Sequence, residues 1–146
     1  MTTTQIVEDI YRDHKRETKI IGNRKWESVW HVNGTIQYEK EYKDGKEDGK
    51  HIGWHMDGSK SYEREYKDGK QEGEEIQWYI NENKMNEIKY KNGKKDGKLI
   101  QWWMNGNKMH EGEYKNDERE GKWFEWWENG NKKYEGEYKD GKKEGK

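Results

Sequence analysis

In "KLIQWWMNG" (Lys98–Gly106), Ile100, Trp102 and Met104 recur at every second residue and run into an Asn-Gly pair. Period two describes a strand whose side chains alternate between two faces, and Asn-Gly is a hairpin turn. The same run returns as Trp30/Val32, Ile52/Trp54/Met56, Ile76/Trp78/Ile80 and Phe124/Trp126. A second run, "KKYEGEYK" (Lys132–Lys139), places Tyr134, Gly136 and Tyr138 on one face and Glu135, Glu137 and Lys139 on the other. Both are short and bounded by turn residues, as hairpin strands are.

The two runs repeat every 24 residues. Trp30, Trp54, Trp78, Trp102 and Trp126 form one column, and Tyr42, Tyr66, Tyr90, Tyr114 and Tyr138 a second. Glu39, Glu63, Glu87, Glu111 and Glu135 keep the same phase, as do Gly49, Gly73, Gly97, Gly121 and Gly145. Repetition in phase over this length marks an array in which each unit packs on its neighbours. Asn33-Gly34, Asp57-Gly58, Asn105-Gly106 and Asn129-Gly130 close one set of hairpins; Asp44-Gly45, Asp68-Gly69, Asn92-Gly93 and Asp140-Gly141 close the other. The turn glycines Gly45, Gly69, Gly93 and Gly141 supply positive φ without steric penalty. Asp117 replaces one such Gly, a change the left-handed region tolerates in Asp. Glu82 replaces another, with Asn83 beside it to take the role, so the third unit is expected to have the least regular hairpin.

The fold expected is all-β: a single-layer, twisted antiparallel meander of about ten strands. A three-residue Asn-Gly turn with a left-handed Gly bulge would put Trp and Tyr on one face and Glu on the other; a two-residue turn would put Trp with Glu. Segregation of apolar from charged faces favours the first. Residues 26–146 form the repeat array and residues 1–25 an N-terminal cap segment. There Ile6, Val7, Ile10 and Tyr11 have the spacing of a short amphipathic helix after a run of Thr, with a strand as the alternative. The chain stops at Lys146, where another Trp strand would begin, either on a charged edge strand or as a fragment of a longer array.

Only 27% of the residues are hydrophobic and 42% are charged, yet nine Trp and ten Tyr concentrate apolar area in large rings. A two-layer aliphatic core is therefore not expected. Thirty Lys and Arg nearly cancel 31 Asp and Glu, interleaved, so no net field draws in nucleic acid and only weak support exists for membrane association. Absence of Cys, of a signal peptide and of an apolar span points to a cytoplasmic protein.

"YEGEYKDGKKEGK" (Tyr134–Lys146) and "HEGEYKNDEREGKWFEW" (His110–Trp126) resemble MORN repeats, in the variant with an added Trp-bearing strand. The likeness covers residues 26–146. It implies a hairpin-per-repeat β array used in protein–protein contact or scaffolding, and bacterial chains of this variant are grouped as YwqK-type antitoxins, partners that neutralise a toxin. Asn86 and His110 depart from the pattern where the first Tyr of Tyr-x-Gly-x-Tyr should stand, and Arg64 and Ile88 where the Gly should.

Catalytic and cofactor chemistry finds no foothold. Gly45-x-x-x-Gly49-Lys50 is one residue short of a phosphate loop and lacks its Ser or Thr. "NDEREGKWFEWW" (Asn116–Trp127) ends in Trp where a calcium loop needs Glu. His51 and His55 on one strand would stand ~13 Å apart, too far to share a metal, and read as surface histidines. No catalytic residue, metal or cofactor is expected. The residue after each column Trp is large: His31, His55, Tyr79, Trp103 and Trp127, with Leu99 and Trp123 nearby. On an otherwise charged face these rings read as a candidate interface. The expected function is a non-enzymatic interaction or scaffolding module for a protein partner such as a toxin. The alternatives are a carbohydrate- or membrane-surface-binding array and a spacer within a longer protein.

Overall fold

A computed structural model describes residues 4–11 and 14–144. Fourteen strands among them form one open antiparallel sheet: β1 (Thr4–Tyr11), β2 (His14–Ile21), β3 (Arg24–Trp30), β4 (Ile36–Lys43), β5 (Lys46–Trp54), β6 (Lys60–Lys67), β7 (Lys70–Gln71), β8 (Gly73–Trp78), β9 (Lys84–Lys91), β10 (Lys94–Trp102), β11 (Lys108–Lys115), β12 (Glu118–Trp126), β13 (Lys132–Lys139) and β14 (Lys142–Glu144). Each pairs with its neighbours in sequence, β7 and β8 sharing β6. The all-β meander is as expected. The N-terminal helix is not: residues 4–11 form β1, registered against β2 from Thr4↔Ile21 to Tyr11↔His14, because β2 supplies the backbone partners a strand needs. Gly145, the last of its column, lies outside the described residues.

The two turn sets differ in kind. Asp44 (φ 50°) and Gly45 (φ 80°) both take positive φ between the paired Lys43 and Lys46, a type I′ turn. Asn116 (φ 49°) and Asp117 (φ 68°) build the same turn without glycine. At the other set, Gly34 N–H donates to the His31 carbonyl (2.9 Å) and His31 N–H to that of Thr35 (2.7 Å), with Gly34 at φ 89°. This is the expected three-residue turn with its glycine bulge. Glu82 takes the left-handed position itself, at φ 70°, and its hairpin makes the same two bonds at 2.9 Å. The hairpin expected to be least regular is thus like the others; a strand break falls elsewhere, at Glu72, which separates β7 from β8.

The face assignment is corrected by a second bulge. Trp54 pairs with Lys60, but Gly53 pairs with Tyr62, leaving Ser61 extra; the same slip follows Trp30, Trp78, Trp102 and Trp126. One extra residue reverses every side chain beyond it. Ile52 therefore faces Glu63, Ile76 faces Glu87 and Ile100 faces Glu111, so Trp shares its face with Glu while Tyr lies on the other. On the Trp face, Lys60, Lys84 and Lys108 bind Glu63, Glu87 and Glu111 at 2.9, 3.0 and 2.7 Å. Their ammonium groups also stand over the rings of Trp78, Trp102 and Trp126 at 5.6, 6.0 and 5.9 Å.

The covered face is the Tyr face. Ile88, Leu99, Trp123 and Tyr138 form its buried cluster, with Tyr90, Tyr114 and Tyr134 packed against it. The Trp123 ring meets Tyr114 and Tyr138 edge-on at 5.1 and 6.1 Å. The space it occupies exists because Gly112 has no side chain: a Cβ there would collide with the Trp123 indole. Toward the N-terminus the same row is polar. His51, expected at the surface, is buried, with Nε2 3.0 Å from the Tyr62 hydroxyl. Glu75 is buried against Arg64 (3.6 Å) and accepts from the amides of Gln71 and Gln77 (2.7 Å for Gln77).

Candidate interaction surface

The ribbon has two long edges, and its turns build both. Along the type I′ edge, successive turns bond backbone to backbone: Gly69 N–H to the Glu47 carbonyl (2.8 Å), Gly93 N–H to Gln71 (2.9 Å), Asp117 N–H to Lys95 (2.9 Å). The carboxylates of Asp48, Glu72 and Glu120 accept from the turn N–H groups of Asp68, Asn92 and Asp140 one unit on, at 3.2, 2.8 and 3.2 Å. Each such carboxylate precedes a column glycine held at positive φ, 111° at Gly49 and 71° at Gly121. The Lys- and Gly-rich signature thus builds turns and seals units together. Its five four-residue turns carry nine lysines.

Among the described residues, five hairpin tips line the opposite edge: residues 31–35, 55–59, 79–83, 103–107 and 127–131. Here side chains bridge the units. His31 and His55 Nε2 lie 2.9 and 3.1 Å from the carbonyls of Trp54 and Trp78; the Tyr79 hydroxyl donates to Trp102 (2.8 Å) and Trp103 Nε1–H to Trp126 (3.2 Å). A second layer joins the tips: Asn33 Nδ2 donates to the Met56 carbonyl (2.8 Å), Asn81 to Met104 (2.9 Å) and Asn105 to Glu128 (2.9 Å).

These contacts reassign the residues expected at an interface. His31, His55, Tyr79 and Trp103 are half-buried and pin one hairpin to the next. Leu99 and Trp123 are not on an open charged face at all: they lie in the buried cluster of the Tyr face, because the second bulge turns that face inward. Trp127 alone of the seven is exposed, at 52%, in a shallow depression shared with Asn105, Glu128 and Asn129.

A different row stands out. Val32 (65% exposed), Met56 (56%), Ile80 (57%) and Met104 (50%) sit at successive tips. Strand alternation assigns these four to the face of the column Trp, but β3, β5, β8 and β10 end at the Trp, and the next residues already belong to the turn. The first residue of a three-residue Gly-bulge turn projects outward, so the Asn-Gly spacing itself carried the signal. The row lies in an unusual setting for this chain. Among the 25 tip residues the only charges are Asp57, Glu82 and Glu128, and none is a cation. Ser59 donates both N–H (2.9 Å) and hydroxyl (2.6 Å) to Asp57, holding that carboxyl below its ordinary range.

Comparison with protein-family models and with curated proteins returned no match.

Proposed function

We propose that this chain is a non-enzymatic protein-interaction module that presents its hairpin-tip edge to a protein partner. The observation that carries the reading is the row Val32, Met56, Ile80 and Met104, each at least half exposed at the head of a tip, residues 31–35, 55–59, 79–83 and 103–107, that carries no Lys or Arg. Unpartnered apolar side chains aligned on a rigid scaffold are what a binding surface requires and what a solvated turn does not. Inter-tip bonds hold the row in place before any partner arrives, which lowers the ordering cost of association. The MORN-like resemblance points the same way, and a toxin neutralised by this edge is one such partner. A chain without cysteine suits the cytoplasm, where we place it.

The test is site-specific photocrosslinking in cells that express the chain, with the photoreactive residue at Met56 or Met104 on one edge and at Lys67 or Lys91 on the other. The expected result is a discrete protein adduct from the tip positions and none from the lysine edge. Adducts of equal yield from both edges, or none from the tips, would overturn the proposal.

A further inference from the structure

The proposed interaction edge has a geometry that selects among partners, and from it we infer that the occupant is an amphipathic α-helix whose apolar stripe is flanked by Lys and Arg. The inference rests on the interaction reading above and adds the partner's chemistry.

Strand addition finds little to bind at this edge. The tip N–H groups of His31 and Gly34 are spent inside the hairpin, and the carbonyls of Met56 and Met104 already accept from Asn33 and from Asn81. What the edge offers is side chains. Two strand spacings of ~4.8 Å put successive tips ~10 Å apart. Seven residues of α-helix rise ~10.5 Å, so apolar residues repeating at heptad spacing meet consecutive tips nearly in step. The tip charges then set the border, because Asp57 and Glu82 beside the row and Glu128, which holds the row's next position, are all acidic. A second copy packed tip to tip would bring these carboxylates together, and an anionic lipid surface would be repelled by them; a helix with a basic border is attracted.

The probe is a fluorescein-labelled single helix with Leu at heptad-spaced positions bordered by Lys and Arg, beside a twin in which Glu replaces every Lys and Arg. Titrated with the full chain and followed by anisotropy, the basic helix is expected to saturate. Its affinity should fall about tenfold or more for the Glu-bordered twin and for Ile80→Ser/Met104→Ser. Asp57→Asn/Glu82→Gln, which leaves the apolar row intact, should weaken the basic helix and improve the Glu-bordered one. Circular dichroism of each variant checks that the sheet is retained. Failure of the basic helix to saturate, equal binding of the two helices, or indifference to Ile80→Ser/Met104→Ser would overturn the inference. So would binding to phosphatidylcholine–phosphatidylserine vesicles that depends on the tips. If the helices fail while photocrosslinks still arise from Met56 and Met104, the helical partner falls and the interaction edge stands; loss of those crosslinks removes both.

Discussion

Arg64 and Ile88 stand where the repeat's glycine should, and each finds a matched residue across the sheet on the following Trp-bearing strand. Ile88 pairs with Leu99, Arg64 meets buried Glu75 at 3.6 Å, Gly112 lies under Trp123, and Lys40 pairs with His51. The departures from the repeat are therefore compensated two residues at a time. Arg64→Leu alone leaves the Glu75 carboxylate buried without its cation and is expected to cost ~3–5 kcal/mol by urea unfolding. Arg64→Ile with Glu75→Leu copies the Ile88/Leu99 pair and should be neutral or stabilising. His51 gives a pH signature. Burial first, then the Lys40 and Arg64 cations, push its imidazole down to about 4. The unfolded chain, titrating near 6.5, takes up the proton first, so stability present above pH 6.5 is lost as pH falls toward 4. The loss, of order 2 kcal/mol after solvent screening, should disappear from the stability–pH curve of His51→Phe.

At the scale of strands and turns, the sequence announces the meander plainly, because period-two runs and Asp-Gly or Asn-Gly pairs are local signals. It does not announce the faces. The extra residue beside each column Trp is Gln37, Ser61, Met85, Met109 or Lys133, a mixed set with no shared chemistry, so parity counted through the glycine bulge alone comes out inverted. That inversion hid Trp123 as a core residue and made Leu99 look exposed. The tip row was within reach through turn geometry, whereas the pinning role of Tyr79 depends on a carbonyl 23 residues away. Tyr79→Phe removes that bond and should cost ~1 kcal/mol, whereas Trp123→Ala, which empties the middle of the buried cluster, should cost ~3–5 kcal/mol; chemical unfolding separates the two.

For the whole molecule, a sheet whose strands follow one another in sequence predicts stability that adds by unit. Deleting residues 60–83 removes Arg64 and Glu75 together and rejoins a tip to β9, so the shortened chain should still unfold cooperatively, with a urea m-value lower by about a sixth. The division of labour between edges is also a property of the whole: the lysine edge and the pinned rings hold the array together, and the apolar tips are surplus to that task. The most direct test is the stability of Val32→Ser/Met56→Ser/Ile80→Ser/Met104→Ser. If the tips serve a partner, urea unfolding of the fourfold variant should match the parent to within ~1 kcal/mol in total. A loss of several kcal/mol, as for core truncations, would show that the row belongs to the fold and contradict the account.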